Sequence, residues 1–270
     1  MDKRPIGIFD SGVGGMTVLA QIKKYLPNED LIYLGDTKNF PYGDKSKETI
    51  IKLSTKCIEF LIRQKVKMII IACGTATSQS LEEVKKIYRL PIEGIIHPTV
   101  QDIKNSIKTE KLRIGVIATE GTIRSNKWQE ELIRAMKEVE VINKACPLLA
   151  PMAEQGWTNN KVAKEAIKEY MKPFQNQKMD KLILGCTHYP LFCDLMKEEL
   201  GNDVEIINTG EKIAKYLKEY LEKEEMENEE QHVGKSNYYL TDTECNFIEV
   251  ASRLLKDETL ETKIQKIDIE

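Results

Sequence analysis

Short unbroken apolar runs alternate along this chain with longer stretches in which apolar residues recur every three or four positions. The first pattern marks a strand buried on both faces, the second a helix buried on one. "PIGIFD" predicts a strand ending at Asp10, and "MTVLAQIKKYL" a helix behind it. "DLIYLGD" predicts a strand, "ETIIKLSTKCIEFLIRQK" a helix and "VKMIIIAC" a strand, followed by the helix "SQSLEEVKKIY" and the short strand "IEGII". The alternation restarts after "HPTV". "LRIGVIAT", "EVINKAC" and "MDKLILGC" read as strands, separated by the helices "WQEELIRAMKEV" and "NKVAKEAIKEYMKPFQ". Beyond "DVEIINTG", the helix "EKIAKYLKEYLEKEE" grades into the acidic run "EKEEMENEEQ", a solvated helix end or loop. "NYYLTD", "FIEVASRLL" and "KIQKIDI" close the chain as strand, helix, strand. Alternation of this kind predicts an α/β fold with open, parallel, doubly covered sheets.

The two halves repeat each other weakly. "PIGIFDSGVGG" aligns with "RIGVIATEGTI", pairing Gly7 with Gly115, and "MIIIACGTATS" aligns with "KLILGCTHYPL", pairing Cys73 with Cys186. Between them "FPYGDKSKETI" aligns with "MAEQGWTNNKV", pairing Gly43 with Gly156 at the same offset of 113 as the cysteines. The repeat predicts two similar α/β domains, residues 1–98 plus 208–270 and residues 99–207, related by a pseudo-two-fold axis. Ligands of open parallel sheets bind outside the strand carboxyl ends. The two sets of strand ends are therefore expected to meet in one cleft between the domains.

At 270 residues the chain has room for two such domains, and 41% hydrophobic residues suffice for their cores. A net charge of −3 and a pI near 5.9, with no basic cluster interleaved with aromatics, argue against nucleic acid as a partner. No apolar run approaches the roughly 20 residues of a membrane span, and the run before Asp10 is too short for a signal peptide. The expectation is a cytoplasmic protein.

Six cysteines in a chain of this length do not make a disulfide framework, and the three histidines lack zinc-ligand spacing. Cys57 and Cys193 fall in helical stretches, where a buried thiol usually only packs. Cys146 and Cys245 stand in loop-like contexts and receive no role. Cys73 and Cys186 differ because each ends an apolar strand and precedes a threonine-bearing turn. Thiols on opposite sides of one small molecule suit inversion of a stereocentre, one removing a proton from one face and the other delivering it to the opposite face. The reference cysteine pKa, about 8.5, is lowered by a helix N-terminus or a cationic neighbour. Both cysteines precede apparent helix starts, whose N–H groups favour thiolates and bind carboxylates.

"GIFDSGVGGMTVL", "GDTKNFPYG", "IACGTATS" and "LGCTHYPL", in this order, resemble the glutamate racemases of the cofactor-independent aspartate/glutamate racemase superfamily. The likeness runs essentially the full chain, to the ending "YYLTDTECNFIEVASRLL". It implies two α/β domains, one inserted in the other, no cofactor or metal, and interconversion of L- and D-glutamate for peptidoglycan synthesis. It allows a homodimer. Carried over by position, Cys73 and Cys186 are the catalytic acid/bases, and Asp10, Glu154 and His188 assist them. Asp10, Ser11, Tyr42, Gly43, Gly74, Thr75, Thr187 and His188 match substrate-contacting places. One departure stands out: the family usually reads Cys-Asn-Thr where this chain reads Cys73-Gly74-Thr75, which keeps a backbone N–H but loses a side-chain amide.

Blander readings stand beside these. "DSGVGG" lacks the Lys-Ser/Thr of a phosphate loop and has Thr17 where a dinucleotide fingerprint needs glycine. Asp10 alone would serve equally as a helix cap. His97 reads as part of an interdomain connection and His232 as a surface residue. A cysteine hydrolase using Cys186 and His188 would leave Cys73 unexplained. An aspartate racemase, or a non-catalytic binder of acidic amino acids suggested by Gly74, completes the alternatives.

Overall fold

The computed structural model describes residues 2–107, 111–175, 178–228, 233–243, 246–255 and 259–269. His232 and Cys245 lie outside them, as does part of the acidic run. In chain order the elements begin β1 (Ile6–Asp10), α1 (Gly15–Tyr25), β2 (Leu31–Gly35), α2 (Lys47–Arg63), β3 (Met68–Ile71), α3 (Gly74–Ile87), β4 (Ile92–Gly94) and α4 (Ile96–Ser106). Next come β5 (Leu112–Ala118), α5 (Glu120–Arg124), α6 (Lys127–Ala135), β6 (Val139–Ala145), α7 (Leu149–Glu154), α8 (Lys161–Gln175), β7 (Lys181–Leu184), α9 (Cys193–Leu200) and β8 (Glu205–Asn208). The chain closes with α10 (Thr209–Lys223), β9 (Ser236–Leu240), α11 (Phe247–Leu255) and β10 (Ile264–Lys266).

Two wholly parallel sheets result, ordered β10-β9-β2-β1-β3-β4 and β6-β5-β7-β8. The order β2-β1-β3-β4 in the first recurs as β6-β5-β7-β8 in the second, so the sequence repeat has a topological counterpart. The register repeats as well. Gly7 of β1 lies opposite Ile69 of β3, and Gly115 of β5 opposite Leu182 of β7. Counting forward from these pairs, Cys73 and Cys186 each fall two residues beyond the end of the strand that carries them. β1 and β3 are buried along their whole length, as their unbroken apolar sequences require.

One hydrophobic cluster runs continuously from the first sheet (Ile6, Ile8, Met68, Ile70) to the second (Ile114, Val116, Ile183). Residues of α1, α4, α6, α10 and α11 fill the space between, with Leu19, Ile103, Leu132 and Leu217 fully buried. Two further clusters cover the outer faces, one under α2 and α3 and one under α7, α8 and α9. The sheets are thus held together by a shared layer of helices.

One helix departs from the sequence expectation, and another, α7, has no counterpart in it. "HPTV" reads as a break, yet α4 starts at Ile96 and includes both His97 and Pro98; α7 likewise includes Pro151. A proline in the first turn of a helix loses no hydrogen bond, because that turn's N–H groups have no partner within the helix. Among the described residues, no helix is long and apolar enough to cross a membrane.

Candidate active site

The carboxyl ends of β1 and β3 face those of β5 and β7 across a narrow seam. Asp10, the last residue of β1, is fully buried. Its Oδ2 accepts the N–H groups of Gly12 (3.0 Å) and Gly15 (3.1 Å), and its Oδ1 accepts the Thr187 hydroxyl (3.2 Å) from the opposite half. Asp10 therefore fastens the start of α1, as a helix-capping acid does, and also reaches across the seam. Burial lifts its pKa to about 6, against the pull of the His188 charge and the two N–H groups.

Cys73 is the N-cap residue of α3 and is almost sealed from solvent, 5% exposed. The Ser11 hydroxyl lies 3.5 Å from its sulfur. Burial first, and then the charge of Asp10, push its thiol up to about 12, outweighing Ser11 and the Ala76 N–H, which favour the thiolate. Across the seam, the Cys186 sulfur lies 3.7 Å from His188 Nδ1. His188 Nε2 contacts Glu154 Oε1 at 2.7 Å, and the same carboxylate oxygen accepts the Val13 N–H at 2.8 Å. Burial works against a charge on His188, yet hydrogen bonds to Cys186 and Glu154, and their charges, raise its pKa well above the ordinary value. The raised pKa favours a cationic imidazole beside the Cys186 sulfur. The Phe40 ring packs against it, centroids 5.6 Å apart.

Gly14 must lack a side chain for this arrangement to form. A Cβ there would lie 2.4 Å from Thr187 Oγ1 and 2.5 Å from His188 Nδ1. The loop after Asp10 thus packs its bare backbone against the Cys186-Thr187-His188 turn.

Three hydroxyls meet at the other end of the seam. Thr75 Oγ1 lies 2.8 Å from Thr119 Oγ1 and accepts from the Thr122 hydroxyl at 3.3 Å. The Gly121 N–H donates to the Gly43 carbonyl (2.8 Å), and the Gln79 side-chain amide donates to the Gly121 carbonyl (2.8 Å). The Tyr42 hydroxyl donates to Asp36 Oδ2 at 2.6 Å, and its ring shares a buried cluster with Cys73.

The structure therefore brings Asp10, Ser11, Cys73, Gly74, Thr75, Glu154, Cys186, Thr187 and His188 into one seam and places Gly43 at its edge; Tyr42 is buried in the same cluster as Cys73, its hydroxyl held by Asp36. Sequence reasoning missed Thr119, Thr122, Thr17 and Tyr33. Thr17 donates to the Thr187 carbonyl at 2.9 Å and the Tyr33 hydroxyl to the Gly12 carbonyl at 2.6 Å. Pairing Gly7 with Gly115 also pairs Ser11 with Thr119 and Gly14 with Thr122. The repeat thus held the signal for the two second-half threonines. A cavity of about 440 Å³ lined by Gly12, Phe40 and Glu154, among others, opens behind the His188–Glu154 pair, and neither thiol lines it. No cluster of three or more metal-ligating side chains occurs among the described residues.

The family model described as Asp/Glu/Hydantoin racemase matches residues 6–217. A protein of Geobacter metallireducens named glutamate racemase is 40% identical over 255 residues, 94% of each chain. One of Aquifex aeolicus with the same name is 42% identical over 262 residues, 96% of each chain. Among solved structures, the glutamate racemase of Francisella tularensis subsp. tularensis SCHU S4, in complex with D-glutamate, superposes with a TM-score of 0.91 at 33% identity. That match covers 100% of this chain and 99% of the other.

Proposed function

Because this chain belongs to the Asp/Glu/Hydantoin racemase family, we propose that it interconverts L- and D-glutamate by proton transfer between two opposed cysteine thiols, without a cofactor. The observation that carries this is the repeated placement of Cys73 and Cys186, each two residues past equivalent strands of matching register. Glutamate is the substrate named for the relatives at about 40% identity, and D-glutamate is bound in the Francisella protein. Supply of D-glutamate for peptidoglycan, in the cytoplasm, follows as the cellular role.

The two thiols have different partners, and the resemblance to the glutamate racemases implies that Cys186 acts on the L form and Cys73 on the D form. Cys73 keeps its proton at neutral pH and is ready as an acid. Cys186 sits beside His188, whose raised pKa favours the cation that supports a thiolate. In the L-to-D direction the Cys186 thiolate takes the α-proton from one face. The electron pair left on Cα then takes a proton from the Cys73 thiol on the other face. The D-to-L direction starts from the reverse protonation state. A Cys73 thiolate, made strongly basic by burial and by Asp10, suits removal of the weakly acidic α-proton of an amino acid. The N–H groups of Gly74 and Thr75 at the start of α3 and the hydroxyls of Thr75, Thr119 and Thr187 offer donors for the substrate carboxylates.

Incubation with L-glutamate and, separately, L-aspartate, followed by chiral analysis, tests this function. Racemisation of glutamate is expected to survive dialysis against a chelator, in protein without a visible chromophore. Activity that returns only with an added cofactor, or that prefers aspartate, would overturn it.

A pH dependence follows from Asp10. Its raised pKa means that it is ionised above about pH 6 and neutral below. The neutral form withdraws a charge from beside Cys73 and weakens the acceptor that fixes Thr187. The racemisation rate is expected to fall as pH drops through about 6, and in Asp10→Asn that inflection should disappear from an already slower rate. An unchanged inflection in the variant would assign it to another group.

A further inference from the structure

The closest backbone approach at the seam lies beside the two thiols themselves. A Cβ built on Gly74 would stand 2.0 Å from the Gly185 carbonyl oxygen and 3.1 Å from its carbon. The Gly74 Cα is therefore within about 3.5 Å of that oxygen, the range of a Cα–H···O contact. Gly74 follows Cys73 and Gly185 precedes Cys186. Gly74 is not in the left-handed backbone region that favours glycine. Space alone explains the absence of a side chain there.

Resting on the racemase reading above, we propose that the Gly74–Gly185 contact is the stop that sets the separation of the two thiols, which makes Gly74 a positioning residue. Neither partner can yield locally. The Gly185 N–H is tied to the Ile117 carbonyl at 2.8 Å, which anchors the peptide to β5. Gly74 is the first residue of α3, where the Thr77 N–H holds the Cys73 carbonyl at 2.8 Å. A methyl group at position 74 must then be accommodated by moving one half of the molecule away from the other. Carbon and oxygen need about 3.2 Å or more, so the displacement exceeds about 1 Å. It falls one residue from each sulfur.

Racemisation requires both thiols at reacting distance from one carbon, whereas proton removal alone requires one. Elimination therefore provides a separate readout. In 3-chloroglutamate, loss of the α-proton to a thiolate expels chloride and forms an enamine, which water converts to 2-oxoglutarate and ammonia. A wider seam lets the substrate follow one thiol, and elimination continues while racemisation fails.

Gly74→Ala is expected to lower kcat for racemisation about 100-fold in both directions, the usual cost of a misplacement near 1 Å. Chloride elimination from the enantiomer processed by each thiol should fall less than about tenfold. Gly74→Asn, which restores the amide that the resembled family carries, is expected to lose racemisation in the same way rather than gain it. Equal losses of both activities, unchanged racemisation in either variant, or failure of both variants to fold would overturn the proposal. The wild-type protein is assayed alongside: if it does not racemise glutamate, the functional reading itself fails. If it does and the variants match it, only the assignment of Gly74 fails.

Discussion

Cys73→Ser and Cys186→Ser are each expected to lose racemisation in both directions, by at least about 10³-fold, because every turnover uses one thiol to take the proton and the other to return it. A serine hydroxyl in either place is far too weak an acid to give up a proton as a thiol does, and it cannot be ionised to act as the base. The two variants should nevertheless remain distinguishable. Each keeps one thiol, and with it chloride elimination from one enantiomer of 3-chloroglutamate. Cys73→Ser keeps Cys186 with its His188–Glu154 support and should eliminate from the L form. Cys186→Ser keeps Cys73 with Ser11 and Asp10 and should eliminate from the D form. If both variants retained elimination from the same enantiomer, the thiols would not flank the substrate, and the two-base mechanism would be wrong.

The second large effect concerns stability rather than chemistry. Lys67, just before β3, is fully buried, and its ammonium lies 2.6 Å from Glu29 Oε2. It also donates to the carbonyls of Asp2 (2.9 Å) and Met226 (2.7 Å), which fills its three donor positions. Glu29 accepts the Asn228 N–H through its other oxygen at 2.8 Å. Such a pair gains little over an apolar replacement of both partners, but removing one partner strands the other charge out of water. Lys67→Met is therefore expected to cost about 3–5 kcal/mol in urea unfolding. The Glu29→Gln/Lys67→Met double variant should lose less than the single one. A Lys67→Met protein within about 1 kcal/mol of wild type would show that Glu29 finds water or another partner.

What could be read from sequence follows from which interactions are local. β1, β3, β5 and β7 were legible because strands buried on both faces have unbroken apolar sequences. The placement of Cys73 and Cys186 was legible because the repeat carried strand and cysteine together. α4 was not, because Pro98 looks like a break in a linear reading, and only the first-turn geometry makes it harmless. Thr119 and Thr122 have nothing unusual in their own neighbourhoods and were reachable only through the repeat, which pairs them with Ser11 and Gly14. They join the site because β5 ends where β3 and α3 begin to face it, a fact of tertiary packing. The need for bare backbone at Gly14 and Gly74 likewise depends on what the opposite half presents. Asp36, the partner of the Tyr42 hydroxyl, also carries no mark of that role in its own neighbourhood.

The strand order also dictates a sequence of events during synthesis. β2 is an inner strand of the first sheet only because β9 pairs with it, Leu31 opposite Ser236. A chain emerging from the ribosome offers β2-β1-β3-β4 and then the whole of β6-β5-β7-β8 before that partner exists. For most of translation the outer edge of β2, with Ile32 and Leu34 on it, is an open parallel edge able to recruit strands of other chains. Only the last few dozen residues close it. Nascent chains stalled or truncated before β9 are thus the form of this protein most prone to aggregate, and the carboxyl-terminal segment acts as the seal on a sheet whose other strands were made long before.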